Sequence, residues 1–149
     1  MDRAEFSQIC HDGVDAGFIF SGPVRPNTVE AFKAVKEMGH TIVIITDRQF
    51  GCSPTASHQA TRVWLAENGI EYDELHFSAD KLIVPTDCFV EDKLENYDIL
   101  TAAGTPCVLI DRPWNQDGND TRLRINDIGQ YPPFVSLVAD LHKNRLSMV

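Results

Sequence analysis

The chain has 149 residues, 43% hydrophobic and 23% charged, which is the arithmetic of one soluble domain over residues 1–149 with a sizeable core. No apolar run approaches the ~18 residues of a membrane helix, and Met1-Asp2-Arg3-Ala4-Glu5 lacks the basic and apolar parts of a secretory leader, so a cytoplasmic location without membrane attachment is expected. A net charge of -9 opposes attraction to nucleic-acid phosphates, and Cys10, Cys52, Cys88 and Cys107 form no CxxC pair, which argues against a zinc knuckle or redox motif and for reduced thiols.

In chain order, Phe6-Ser7-Gln8-Ile9-Cys10 is read as a short first strand, half polar, because Asp12-Gly13 has the look of the turn after it. Asn27-Thr28-Val29-Glu30 resembles a capping box opening a helix with Phe32, Val35 and Met38 on its apolar face and Gly39 as its stop. Thr41-Ile42-Val43-Ile44-Ile45-Thr46 is the clearest strand, a run of the kind buried on both faces of a parallel sheet. A loop from Asp47 to Ala56 precedes a helix from Ser57, with Ala60, Val63 and Trp64 inward and its end at Gly69. A short strand at Leu75-His76-Phe77, an apolar stretch Asp87-Cys88-Phe89-Val90, a helix with Leu94, Tyr97 and Leu100, and a strand Cys107-Val108-Leu109-Ile110 continue the rhythm. Gly118-Asn119-Asp120 marks a turn, Pro132-Pro133 a break, and Phe134, Leu137, Val138 and Leu141 a final amphipathic helix. This order predicts an α/β fold, a three-layer Rossmann-like sandwich with a mainly parallel five-stranded sheet, helices on both faces and no large cap.

In such a sheet the carboxyl ends of the strands form the ligand-binding rim. Reading each strand to its end gives Cys10-His11-Asp12-Gly13, Thr46-Asp47-Arg48, Glu91-Asp92-Lys93 and Asp111-Arg112, with Lys81 in the loop before the fourth strand. Carboxylates suit a hard cation, and a hydroxyl with an ammonium suits phosphoryl oxygens. Each residue also has a plainer reading: Asp12 as a turn residue, Thr46 as the end of a buried strand, Lys81, Arg48 and Arg112 as surface charge, Asp92 as a helix cap.

The order Asp12-Gly13-Val14, apolar strand to Thr46, Lys81, then Glu91-Asp92 resembles the motifs of the haloacid dehalogenase-like hydrolases. Within them the chain is most similar to the small 5'-nucleotidase-like phosphatases of bacteria and phages. Ser21-Gly22-Pro23-Val24-Arg25-Pro26, Ile45-Thr46-Asp47-Arg48, Phe89-Val90-Glu91-Asp92-Lys93 and Ile110-Asp111-Arg112-Pro113-Trp114-Asn115 support the likeness. The resemblance implies Mg2+-dependent hydrolysis of a phosphomonoester such as a (deoxy)nucleoside 5'-monophosphate. Asp12 would be the acid/base and a metal ligand through its carbonyl, Thr46 and Lys81 would hold the phosphoryl oxygens, Asp92 would be the metal carboxylate, and Arg48 would clamp substrate. Glu91 stands where relatives usually carry another aspartate.

The larger departure is Cys10, which occupies the nucleophile's position where the resemblance calls for aspartate. A thiolate is a poor Mg2+ ligand, and the C-x5-R cradle of cysteine phosphatases is absent because, after five intervening residues, the register brings Ala16. Two readings stand: a phosphatase that uses Cys10 or another route with Asp12, or an impaired relative that binds a phospholigand or partner without turnover. A receiver-type signalling domain is disfavoured because its hydroxyl and lysine follow the acidic groups. With no cap, water must be excluded by substrate, by loops Asp15 to Arg25 and Gln49 to Ala56, or by a partner subunit, which leaves a homo-oligomer open. Phe18, Phe20 and Phe50 are candidate faces for a nucleotide base.

Overall fold

The structure is a computed structural model that describes residues 2–15, 22–48 and 55–147, with side chains of 13–15 excepted. Its helices are α1 (Arg3–Asp15), α2 (Thr28–Glu37), α3 (Ala56–Glu67), α4 (Leu94–Ala102) and α5 (Tyr131–Ser147). Its strands are β1 (Val43–Thr46), β2 (Glu74–Phe77), β3 (Phe89–Glu91), β4 (Cys107–Ile110) and β5 (Arg124–Ile125), with short 3-10 turns at Pro113–Asn115 and Ile128–Gln130. Every strand pair is parallel, as the alternation of strand and helix requires.

The predicted single five-stranded sheet is corrected. Among the described residues β1 pairs with β2 in one sheet, and β3, β4 and β5 form another. The register sets Ile45 opposite His76, Val90 opposite Val108 and Ile110 opposite Ile125. β5, only two residues long, was not foreseen; it carries too little pattern to read, yet Leu109 N donates to Leu123 O at 2.8 Å and Asp111 N to Ile125 O at 2.8 Å.

The first strand is corrected as well, because Phe6–Cys10 lies inside helix α1. The cause is local chemistry. Asp2 Oδ1 accepts from Glu5 N at 2.9 Å and Glu5 Oε2 accepts from Asp2 N at 3.2 Å, a reciprocal capping box. Gln8 Nε2 then donates to Asp12 Oδ1 at 2.9 Å, one turn on. Ile9 alone in the segment is β-branched, so little opposes the helix.

The core centres on β4, whose four residues are all buried, with Val108 and Leu109 wholly inaccessible and Leu100 of α4 packed with them. Each such aliphatic side chain contributes roughly 1.5–3 kcal/mol relative to exposure. α2 buries Ala31 and Val35, whereas Met38, expected inward, is exposed. α3 buries Ser57, Thr61 and Leu65 instead of the expected Ala60, Val63 and Trp64, with Val63 exposed. The buried polar stripe is satisfied locally: Thr61 Oγ1 donates to Ser57 O at 2.7 Å and accepts from Arg48 Nη1 at 3.0 Å. Pro132-Pro133 does not break the chain; both prolines lie in the first turn of α5, where a missing N–H costs no helical bond. On α5, Leu137 and Leu141 are exposed and the buried positions are Pro132 and Val135.

Candidate active site at the strand ends

A cleft of about 660 Å³ opens where the carboxyl ends of β1, β3 and β4 meet. Thr46, Lys81, Asp92 and Arg112 line it, together with Arg25, Asp127, Trp114 and the apolar walls Phe32, Ile44 and Phe89. Thr46, Lys81 and Asp92, assigned from sequence to phosphate and metal, are therefore brought to one place. Residues of both β1 and β3 face this cleft, which lies between the two sheets.

Lys81 is anchored by its backbone-directed bond, Nζ donating to Ile45 O at 2.8 Å. The carbonyls of Ile42 and Thr46 accept from Glu74 N and Ser78 N on the β2 side. Strand alternation therefore turns the Ile45 carbonyl to the opposite edge, where the lysine meets it. Burial pushes the Lys81 ammonium below its ordinary pKa, although the charge of Glu91 pulls the other way. Burial likewise raises the Glu91 carboxyl, helped by a side-chain hydrogen bond with Asp92 and opposed by the Asp92 backbone N–H and the charge of Lys81. An isolated ion pair would move both groups outward, so loss of water outweighs their mutual attraction here.

Glu91 is buried, and its Oε1 accepts from Asp92 N at 3.1 Å and Lys93 N at 3.3 Å. It thus shapes the turn from β3 into α4. Asn115, 1% exposed, braces the same turn from the other side, its Nδ2 donating to Asp92 O at 2.8 Å. Arg112 donates from Nη1 to Asp111 O at 2.8 Å, and burial, then repulsion from Arg25, lowers its pKa. Two guanidiniums facing one cleft favour an anion there.

The other expected residues lie elsewhere. Cys10 and Asp12 are on α1, Cys10 buried and Asp12 exposed with its carboxylate bonded to Gln8, and neither lines the cleft. Arg48 turns toward α3 and Thr61 rather than into the cleft, with burial lowering its pKa. Phe18, Phe20 and Phe50 lie outside the described residues. Arg25, Trp114, Asn115 and Asp127 were not assigned site roles from sequence; the run Ser21-Gly22-Pro23-Val24-Arg25-Pro26 was the signal for Arg25 and the run Arg112-Pro113-Trp114-Asn115 for Trp114 and Asn115, while Asp127 had none.

The model of the family described as "5' nucleotidase, deoxy (Pyrimidine), cytosolic type C protein" matches residues 11–130, well over half of the chain. The chain belongs to this nucleotidase family. The match embraces Asp12, Thr46, Lys81 and Asp92 and begins one residue after Cys10. A curated relative, "Putative nucleotidase OB0422" of Oceanobacillus iheyensis, is 25% identical over 126 residues, covering 78% of this chain. The aligned region spans 64% of that relative's own length. No solved structure matches the chain. No helix among the described residues is long and apolar enough to cross a membrane.

Donor chemistry at the rim is compatible with Mg2+. The ion keeps several waters and takes one or two carboxylates plus substrate phosphate oxygens, so a ready cage of protein ligands is not required. No group of three or more His, Cys, Asp or Glu side chains converges among the described residues, and Asp92 supplies the one sequence-assigned carboxylate on the cleft wall. A bound Mg2+ would offset the repulsion between that carboxylate and a phosphate.

Proposed function

We propose that the chain is a Mg2+-dependent phosphomonoesterase acting on a small phosphorylated molecule, a (deoxy)nucleoside 5'-monophosphate being the favoured class. The observation that carries this reading is the convergence of Thr46, Lys81 and Asp92 on one cleft at the strand ends of a nucleotidase-family chain. Thr46 and Lys81 hold phosphoryl oxygens by hydroxyl and ammonium donors, and Asp92 holds the metal. Arg25 and Arg112 add positive charge for a second anionic group or for steering.

Asp12 is the acid/base of this reading. The role requires its carboxylate to leave Gln8 and reach the rim from α1. Cys10, two positions before it on α1, is the group whose chemistry decides turnover, and the second reading is a phospholigand-binding protein that does not hydrolyse. We read the protein as cytoplasmic on composition.

Phosphate release from a panel of ribo- and deoxynucleoside monophosphates with Mg2+ tests both readings on the native chain, Cys10→Asp and Asp12→Asn. Turnover by the native chain that drops at least about 100-fold in Asp12→Asn, the scale of a positioned acid/base, supports the enzyme. A silent native chain with an active Cys10→Asp variant establishes binding without turnover, and silence in all three together with no nucleotide binding overturns the proposal.

A further inference from the structure

We infer that Asn115 is a positioning residue that sets the place of both Asp92 and Arg112 at the cleft, an inference that rests on the reading of Asp92 as the metal carboxylate. Asn115 ends the 3-10 turn Pro113–Asn115 and, among the described residues, is the largest polar side chain sealed from solvent, 1% exposed. Its amide is used on both sides. Nδ2 donates to Asp92 O at 2.8 Å and to Ile110 O at 2.9 Å. Oδ1 accepts from Arg112 N at 3.1 Å and from Arg124 Nη1 at 3.1 Å.

The two carbonyls cannot donate, and neither the peptide N–H nor the guanidinium can accept, so the network itself dictates which amide atom is nitrogen. Two of the partners are the last carbonyls before the rim, just past the ladder joining β3 to β4, where no neighbouring strand N–H fixes them. Asn115 therefore closes the end of the sheet at the point where Asp92 leaves β3. A third partner, Arg112 N, ties the adjoining guanidinium residue to the same amide. The support is itself braced from behind, because Arg124 Nη2 donates to Asn115 O at 2.6 Å while Arg124 Nη1 bonds Asp111 Oδ1 at 2.8 Å.

No other residue type offers this combination in the same volume. Aspartate has the shape without donors and would set an acceptor against two carbonyls, leucine has the volume without polarity, and glutamine is one methylene too long for a sealed site. Because a ligand's outer partners govern how well it holds a metal, commonly by 10–100-fold, loss of the Asn115 amide is expected to be read at the metal.

Titration calorimetry with Mg2+ alone on the native chain, Asn115→Asp, Asn115→Ala and Asp98→Asn provides the test. Asp98 holds the neighbouring loop through Arg122 and bonds neither Asn115 nor Arg124, so its substitution reports general loosening. The expected result is a Mg2+ Kd weakened about 10-fold or more in both Asn115 variants and unchanged in Asp98→Asn. Equal affinity in native and Asn115 variants, or an equal loss in Asp98→Asn, overturns the positioning role while leaving the metal reading intact. A native chain that binds no Mg2+ overturns the metal reading and the inference with it. Should the Asn115 variants fail to fold, the Asn115 side-chain amide resonance of the native chain decides: a shift saturating with the Asp92 amide on adding Mg2+ supports the role, and an unmoved resonance overturns it.

Discussion

Lys81 Nζ lies 2.8 Å from the carbonyl oxygen of Ile45, so one ammonium both caps the outward edge of β1 and stands at the mouth of the cleft. Lys81→Met keeps most of the apolar stem and removes the charge. A charge-assisted hydrogen bond is worth about 1.5–3 kcal/mol, so affinity for a nucleoside monophosphate is expected to fall roughly 10- to 100-fold, read by calorimetry. Unchanged affinity would remove Lys81 from the site.

Burial depresses the pKa of Lys81, which gives the same contact a pH signature. The ammonium is lost at a lower pH than the ordinary lysine value of 10.5. Ligand affinity is therefore expected to weaken on the alkaline side before free lysine would titrate. Stability moves the other way: between the depressed folded value and the unfolded value the unfolded chain binds the extra proton, so this residue's contribution to stability rises with pH. Lys81→Met should abolish both trends, measured by nucleotide titration and urea unfolding from pH 8 to about 11.

At the acid end the informative group is Asp120. Its carboxylate accepts from Arg122 N at 2.9 Å and from Arg124, and these bonds hold its pKa down to about 2. A depressed carboxylate contributes stability above its unfolded value, and that contribution disappears as pH falls through the folded one. Native protein should lose stability between the ordinary value of 3.8 and about 2. Asp120→Asn should show a shallower fall in the same urea titrations, and identical slopes would deny the network a stabilising part.

Asp127 offers a test of the wall opposite β3. Its Oδ1 accepts from Gly129 N at 2.7 Å and from Asn27 Nδ2 at 3.1 Å, fixing the turn into α5 and the start of α2. Asp127→Ala removes a cap, at a cost of about 1 kcal/mol, to be read from urea unfolding. A change within error would mean that the turn holds without its cap.

How far the sequence disclosed this arrangement depends on the range of the interactions. β1 and β4 were legible because consecutive β-branched and aliphatic residues leave few alternatives; Thr46 and Asp92 followed from reading strands to their ends, and Lys81, in a loop, from its place in the order of the motifs. α1 was misread because the reciprocal bonds of Asp2 and Glu5 act outside the hydrophobic pattern that was being followed. On α3 the apolar residues misled, since Ser57 and Thr61 are small and the Thr61 hydroxyl bonds the Ser57 carbonyl one turn back, which lets a polar stripe turn inward. For Asn115 the local run Arg112-Pro113-Trp114-Asn115 was a signal without a role, because its partners Asp92 and Arg124 are distant in sequence and only the fold brings them to one amide.

The bond between Asn27 and Asp127 spans 100 positions, and with it the packing of α2 against the turn Ile128–Gln130 joins an early segment of the chain to a late one. Such remote partners are entropically late. During synthesis β1 emerges long before the residues that complete its surroundings, and β4 waits for Leu123 and Ile125 to cover its outer edge. A nascent chain stopped short of Asp127 would hold the apolar segments of the interior without the pieces that close over them. Ribosome-bound or C-terminally shortened forms are thus the ones most exposed to chaperones, proteases and aggregation, and the cleft first has all its walls once Asp127 and Ile128 have been made.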